Sequence, residues 1–188
     1  SDSTLCYDYV DDPNPDTRGW GYSAAGHQKN HYNAFRCQQK MIERAKANGW
    51  KSVLLLEDDT YLLQRFTDVL NKIEDNMPDP NSWLLFYLGW CEKDEFDEYN
   101  CNIDKVYENT GKVYYDYITT NVGGFHSVVV REELYDIILD MQNNNPLDTQ
   151  VCYMRQWIPS LRVFPKATHI KSLYSYTEGT VFNRKKMV

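Results

Sequence analysis

The chain lacks the sequence signals of several common protein classes. Its five cysteines include no Cys-x-x-Cys pair, which argues against a zinc ribbon, and no Asn-x-Ser/Thr acceptor for N-glycosylation is present. No apolar run reaches the roughly 18 residues that a transmembrane helix needs, and no basic run interleaves with the aromatic residues. With a net charge of −7, the chain is not expected to bind nucleic acid.

The cysteine usage also bears on the compartment. Reduced thiols and a cytoplasmic location are expected, with the lumen of the secretory pathway as the alternative, in which Cys91 and Cys101 are able to pair. The 188 residues with 42% hydrophobic content predict one domain over the whole chain, 1–188. Fifteen tyrosines and five tryptophans favour a ligand that stacks on rings, such as a carbohydrate or a nucleotide.

The most informative segment is the apolar run Val53–Leu56, which leads directly into Glu57, Asp58 and Asp59. A strand of only Val and Leu is expected to be buried on both faces, and binding crevices of open α/β sheets lie at the carboxyl ends of such strands. Carboxylates this close raise one another's pKa unless a cation neutralises them. The segment predicts a Mg²⁺ or Mn²⁺ site shared with substrate phosphates. The alternative is a solvated turn that caps the next helix.

Hydrophobic periodicity predicts alternating helices and strands along the chain. Helices are expected over 28–48, 61–74, 131–142 and 147–157, and strands over 53–56, 83–88, 113–118, 125–130 and 161–164, with a further short strand at 5–10 and an extended segment over 167–182. This order indicates an α/β sandwich with a mostly parallel central sheet.

Several motifs resemble family 25 glycosyltransferases, the lipopolysaccharide and procollagen galactosyltransferase group. The run Gly26–Ala34, the helix that follows and the strand ending in Glu-Asp-Asp are similar to that family's pattern, as are Leu88-Gly89 and Pro146-Leu147-Asp148. The resemblance spans about residues 26–178 and implies a GT-A-like, Rossmann-like three-layer sandwich. Because only a short apolar segment opens the chain, the N-terminal nucleotide-binding part is expected to be abridged.

The resemblance assigns roles to individual residues. It implies Asp59 as the direct metal ligand, with Asp58 or Glu57 contacting metal or ribose. It also implies that His169 completes the metal shell, with a structural role for this histidine as the alternative. It also implies Asp148 as the base that takes the acceptor proton. On spacing alone Asp148 is equally well a helix cap, and Asp116 is the alternative base.

The remaining histidines and a glycine pair are less informative. His31 is expected to orient the loop near the nucleotide, since the segment between His27 and His31 lacks the Glu of a zinc-protease motif. His126 has no assigned role. Gly123-Gly124 permits close approach of an acceptor or marks a bulge.

Three functions remain open at this point. The first is a metal-dependent, inverting glycosyltransferase that uses a nucleotide-diphosphate sugar, expected to be a UDP-sugar, with Mn²⁺ or Mg²⁺, and a glycan or other hydroxyl acceptor. The second is a non-catalytic GT-A-like glycan-binding module. The third is a metal-dependent phosphoesterase, which needs further acidic ligands such as those in 92–98.

Overall fold

The computed structural model describes residues 28–63, 66–75, 79–92, 113–118, 122–142, 144–154, 157–164, 166–170, 174–175 and 180–181. Its four α-helices are α1 (Gln28–Ala47), α2 (Phe66–Asp75), α3 (Tyr135–Asp140) and α4 (Leu147–Tyr153). The strands are β1 (Ser52–Leu56), β2 (Thr60–Leu62), β3 (Leu85–Tyr87), β4 (Cys91–Glu92), β5 (Tyr114–Tyr117), β6 (Val122–Gly123), β7 (Ser127–Arg131), β8 (Ser160–Phe164), β9 (Thr168–Ile170), β10 (Tyr174–Ser175) and β11 (Thr180–Val181). The strand expected at 5–10 lies outside the described residues.

A five-stranded mixed sheet forms the centre of the described structure. Its strands lie in the order β1-β7-β3-β8-β5. Strand β7 is antiparallel to both β1 and β3, β3 is parallel to β8, and β5 is antiparallel to β8. Strands β1, β3 and β8 therefore run in one direction, and their carboxyl ends lie at the same edge of the sheet.

The α/β class is confirmed, but the prediction of a mostly parallel sheet is wrong. Of the four neighbouring pairs in this sheet only β3 and β8 are parallel. The reason is that β7 lies between β1 and β3 in the sheet. Strands β1 and β3, which α2 connects, therefore run in the same direction but are not neighbours. The expected burial of β1 on both faces also holds only in part. Strand β1 lies at one edge of the sheet, and of its residues only Leu55 is fully buried.

Helix α1 covers the sheet beside β1 and ends where the sequence predicts. Gly49 adopts a φ of 67°, the left-handed conformation that glycine accepts most readily at a helix end. The Gly49 amide donates to the carbonyl of Lys46 and the Trp50 amide donates to that of Ala45, each at 3.0 Å. These two hydrogen bonds provide partners for carbonyl groups at the end of the helix, and they turn the chain toward β1.

The buried face of α1 differs slightly from the predicted one. Phe35, Gln38, Ile42 and Ala45 are buried at the spacing of one helical face. Helical spacing in the sequence predicts a stripe of Ala34, Cys37, Met41 and Ala45 with Phe35 and Ile42 beside it, so the buried face is centred on the residues beside that stripe. The larger side chains of Phe35 and Ile42 fill the space against the sheet. Gln38 is therefore a polar residue on an otherwise largely apolar face.

The segment after the Glu-Asp-Asp run is not a continuous helix. The prediction of a helix over 61–74 is wrong at its start, because Thr60–Leu62 forms β2 and pairs antiparallel with β9. Helix α2 begins at Phe66, and its Val69 and Ile73 are buried as the periodicity predicts. The β-branched and aromatic residues of 60–62 suit a strand, and their partner strand lies more than a hundred positions later in the sequence.

The core is built from the central strands and the helices that cover them. Strand β3 is completely buried, and Trp83 packs against Phe86 with ring centroids 5.6 Å apart. Helix α3 is joined to α1 by Gln39, whose Nε2 donates to the Ile138 carbonyl at 3.0 Å. Among the described residues, no helix has the length and apolar character needed to cross a membrane.

Candidate functional site

The three consecutive carboxylates lie in a tight turn between β1 and β2. The Glu57 amide donates to the His126 carbonyl at 3.0 Å, and the Thr60 amide donates to the Glu57 carbonyl at 3.0 Å. The Thr60 hydroxyl donates to the same His126 carbonyl at 2.7 Å. Because β1 and β7 are hydrogen-bonded neighbours, the first residue before β7 anchors the turn that follows β1. The turn is thus fixed at both of its ends.

Other strand ends meet at this edge of the sheet. The Leu88 carbonyl, just after β3, accepts a hydrogen bond from the Ala167 amide at 2.8 Å and from the Thr168 amide at 3.3 Å, just after β8. The Leu88 amide donates to the Ser127 carbonyl at 3.0 Å. The carboxyl ends of β1, β3 and β8 and the start of β7 therefore form one continuous edge, with Glu57 at one side of it.

Helix α1 supplies a buried amide to the turn. Gln38 Nε2 donates to Glu57 Oε1 at 2.9 Å, and the Gln38 side chain is 6% exposed. His31 lies two helical turns earlier on the same face of α1 and is also buried. Since α1 rises about 1.5 Å per residue, His31 lies about 10 Å from Gln38 along the helix axis, toward the N-terminus.

The charges that act on Glu57 include that of Asp148, from a distant segment of the chain. Burial is the largest cause that raises the pKa of Glu57 from 4.5 to about 8, followed by the negative charges of Asp59, Asp148 and Asp58. The hydrogen bond from Gln38 acts in the opposite direction and lowers the pKa. Two segments that are distant in sequence thus place four carboxyl groups in one electrostatic neighbourhood.

Asp148 does not act as the N-cap of α4. The N-cap residue is Pro146, which makes no side-chain capping bond, and Asp148 lies in the first helical turn. Asp148 Oδ1 accepts a hydrogen bond from the Thr149 amide at 2.7 Å. This contact orients the carboxyl group at the start of the helix, where the backbone dipole favours negative charge.

The structure does not bring every predicted residue to the turn. Asp116 belongs to β5, at the other end of the sheet order from β1, and a spacing of about 4.8 Å between strands puts the two strands about 19 Å apart. The backbone of His169 lies in β9 opposite Tyr61, which follows the carboxylate turn by two residues. The side chain of His169 is outside the described part. His27 is outside the described residues as well.

The structure describes the glycine pair and some of the cysteines. Gly124 has a φ of 84°, which supports a backbone reason for glycine at that position. Gly123 pairs with Cys91 between β6 and β4. Cys37 and Cys152 form no disulfide. Cys101, the expected partner of Cys91 in an oxidising compartment, lies outside the described residues.

Four residues near the turn have no role predicted from the sequence. Besides Gln38, they are Gly89, His126 and Thr168, and the latter two are buried. A Cβ on Gly89 would overlap Thr168 Oγ1 and lie 2.6 Å from His126 Nε2. Both polar side chains therefore pack directly against the glycine at the end of β3. The sequence signal for Gln38 is its place on the apolar face of α1. The other three residues can be placed near the turn only when the pairing of the strands is known.

The donor set of this site suits a hard divalent cation. The carboxylates of Asp58 and Asp59 supply oxygen ligands of the kind that Mg²⁺ and Mn²⁺ prefer. Within the described ranges, however, no three His, Cys, Asp or Glu side chains converge closely enough to enclose a metal ion. This arrangement fits a cation held by one or two carboxylates together with substrate phosphates, and it does not fit a cage built from protein ligands alone.

Comparisons with protein-family models and with curated proteins find no match for this chain. The function is therefore argued from the residues of the site and from their geometry.

Proposed function

We propose that this chain is a metal-dependent glycosyltransferase that transfers a sugar from a nucleotide-diphosphate donor, such as a UDP-sugar, to a glycan or other hydroxyl acceptor with inversion. The proposal includes a GT-A-like arrangement related to family 25 glycosyltransferases. The observation that carries it is the electrostatic proximity of Asp148 to the Glu57-Asp58-Asp59 turn. These are the two motifs that the resemblance assigns to the metal and to the base.

The turn after β1 is the proposed site for the cation and the donor. Asp59, half-buried beside the anchored Glu57, is the proposed direct ligand of Mn²⁺ or Mg²⁺, and the exposed Asp58 is the second. A divalent cation bound there supplies Lewis-acid stabilisation to the negative charge that develops on the departing nucleotide diphosphate. His169 is retained as a third ligand in this proposal because β9 places its backbone beside β2.

Asp148 is the proposed base. Its Oδ1 is held by the Thr149 amide, so the carboxyl group has a defined orientation and Oδ2 takes the proton of the acceptor hydroxyl. An inverting transfer needs the base and the leaving group on opposite sides of the anomeric carbon. A site with Asp148 on α4 and the cation ligands on the turn after β1 provides two separate elements for these two tasks.

His31 and Glu57 are the proposed contacts to the nucleotide. Both are positioned from α1, His31 directly and Glu57 through Gln38. Glu57 follows the strand whose end lies at the common edge, which is where ligands bind in α/β sheets. A ribose hydroxyl is a suitable partner for its carboxylate.

Calorimetric titration tests the proposal. UDP-glucose, UDP-galactose and GDP-mannose are titrated into the wild-type protein and the variants Asp59→Asn and Asp148→Asn, each with Mn²⁺ and with EDTA. Asp75→Asn, a change in an exposed carboxylate at the end of α2, is the matched control. We expect one nucleotide sugar to bind only with Mn²⁺, no binding in Asp59→Asn, and wild-type binding in Asp148→Asn and Asp75→Asn.

Other outcomes separate the alternative functions. Absence of binding with every nucleotide sugar, combined with retention on a glycan array, supports the non-catalytic glycan-binding module. Metal-dependent hydrolysis of a phosphate ester, lost in both Asp59→Asn and Asp148→Asn, supports the phosphoesterase. Binding that is equally strong in EDTA contradicts the proposed use of the carboxylate turn.

A further inference from the structure

Two adjacent glutamines in the middle of α1 are both buried and make different contacts. Gln38 is 6% exposed and Gln39 is 2% exposed. A buried amide needs hydrogen-bond partners to offset the loss of water. Gln39 finds its partners in the carbonyl groups at the end of α3, Ile138 and Leu139 among them. Its role is to join two helices.

Gln38 faces the carboxylate turn instead. Its Nε2 donates to Glu57 Oε1 at 2.9 Å, a contact between residues that are far apart in the sequence. The Glu57 amide is bound to the His126 carbonyl, so Glu57 is held through its backbone by β7 and through its side chain by α1. One carboxyl oxygen, Oε1, is thereby fixed in place.

We propose that Gln38 is a positioning residue that orients the Glu57 carboxyl group, so that its other oxygen, Oε2, is presented to the cation and nucleotide of the adjacent turn. The inference rests on the proposed function, since it names how that site is organised. Gln38 touches neither ligand itself and acts through Glu57.

The choice of an amide has a physical reason. Lysine or arginine at this position would neutralise Glu57 and would compete with a divalent cation for the negative charge of the turn. A neutral amide donates one directed hydrogen bond and leaves the charge of the carboxylates unchanged. Residues that orient metal-binding side chains in this way commonly alter metal affinity about 10-fold to 100-fold when they are replaced.

The test compares the two neighbouring glutamines in the full chain. Mn²⁺ affinity is measured by the electron paramagnetic resonance signal of free Mn²⁺, in the presence of saturating UDP, for wild type, Gln38→Met and Gln39→Met. Methionine keeps the length of the side chain and removes the amide. We expect the Kd for Mn²⁺ to rise about 10-fold or more in Gln38→Met and to remain unchanged in Gln39→Met.

A double variant shows whether Gln38 acts through Glu57. In a Glu57→Gln background, Gln38→Met is expected to cause no further loss of Mn²⁺ affinity, because the carboxyl group that Gln38 orients is already absent. Gln38→Asn is the second variant if Gln38→Met does not fold; its shorter amide cannot span the distance to Glu57 and should weaken Mn²⁺ binding in the same direction. Circular dichroism confirms that each variant is folded.

Each result supports or overturns the inference. Equal losses in Gln38→Met and Gln39→Met indicate a general structural effect and overturn the positioning role, as does a further loss on top of Glu57→Gln. In both cases wild-type binding leaves the proposed function standing. Absence of Mn²⁺ binding in the wild-type protein overturns the proposed metal site and the positioning role together.

Discussion

Replacing Glu57 with Gln should change how the stability of the metal-free protein depends on pH. Glu57 has a pKa raised from 4.5 to about 8, first by burial and then by Asp59, Asp148 and Asp58. Glutamine has nearly the shape of the protonated acid and carries no charge at any pH. The two proteins should therefore be similar in acid and diverge as Glu57 ionises.

The direction follows from linkage between proton binding and folding. A carboxyl group whose pKa is raised in the folded state binds its proton more tightly there than in the unfolded chain. Its contribution to stability is fully present below pH 4.5 and is lost as the pH rises through about 8. Because each pKa unit corresponds to about 1.4 kcal/mol, this loss amounts to about 3 kcal/mol at neutral pH and approaches 5 kcal/mol in more alkaline solution.

Urea unfolding in EDTA, repeated over a series of pH values, measures this effect. The difference in the free energy of unfolding between Glu57→Gln and wild type should grow in favour of the variant between pH 4.5 and about 8. Other titrating groups are common to both proteins, so most of their contributions cancel in the difference. Two parallel stability curves would refute the reasoning that Glu57 is half-buried among like charges.

A divalent cation should reverse the advantage of the variant. Mn²⁺ bound beside Glu57 offsets the repulsion from the neighbouring carboxylates and favours the ionised form of Glu57. We therefore expect Mn²⁺ to stabilise the wild-type protein more than Glu57→Gln, and by a larger margin at higher pH. Thermal unfolding with and without Mn²⁺ provides this comparison.

Three further substitutions test the packing. Gly89→Ala should destabilise by about 2 kcal/mol or more in urea unfolding, because its methyl group would collide with the buried Thr168 and His126. Gly49→Ala should cost only about 1 kcal/mol, since the position has a φ of 67° but open space for a methyl group; a cost equal to that of Gly89→Ala would contradict the distinction. Leu161→Ala, in a fully buried position of β8, should cost about 2–5 kcal/mol, and a loss below about 1 kcal/mol would contradict its place in the core.

Features set by local sequence were predictable in this fold. The end of α1 at Gly49 follows from a backbone conformation that glycine accepts, and the placement of Glu57 at the end of β1 follows from an apolar run ending in acidic residues. The sequence predicts a helix from residue 61 because the strand character of 61–62 depends on pairing with β9, which no local pattern shows. The direction of β7 relative to β1 was missed for the same reason.

The candidate site was predictable to a similar extent. Acidic residues in sequence order indicated the turn, whereas the closeness of Asp148 to Glu57 was expected only through the resemblance to a known family. Gln38 has no role predicted from the sequence, because its partner Glu57 is defined by how α1 lies on the sheet. Gly89 and Thr168 meet only because β3 and β8 are neighbours, so their contact requires the tertiary structure.

The central claim is that the carboxylate turn binds a divalent cation together with a nucleotide diphosphate. The most direct measurement is a Mn²⁺ titration, followed by electron paramagnetic resonance, with and without UDP, in wild type and Asp59→Asn. The account predicts that UDP tightens Mn²⁺ binding, that Mn²⁺ tightens UDP binding by the same factor, and that Asp59→Asn abolishes both effects. Mn²⁺ binding that is absent, or that is indifferent to UDP and to Asp59→Asn, would contradict it.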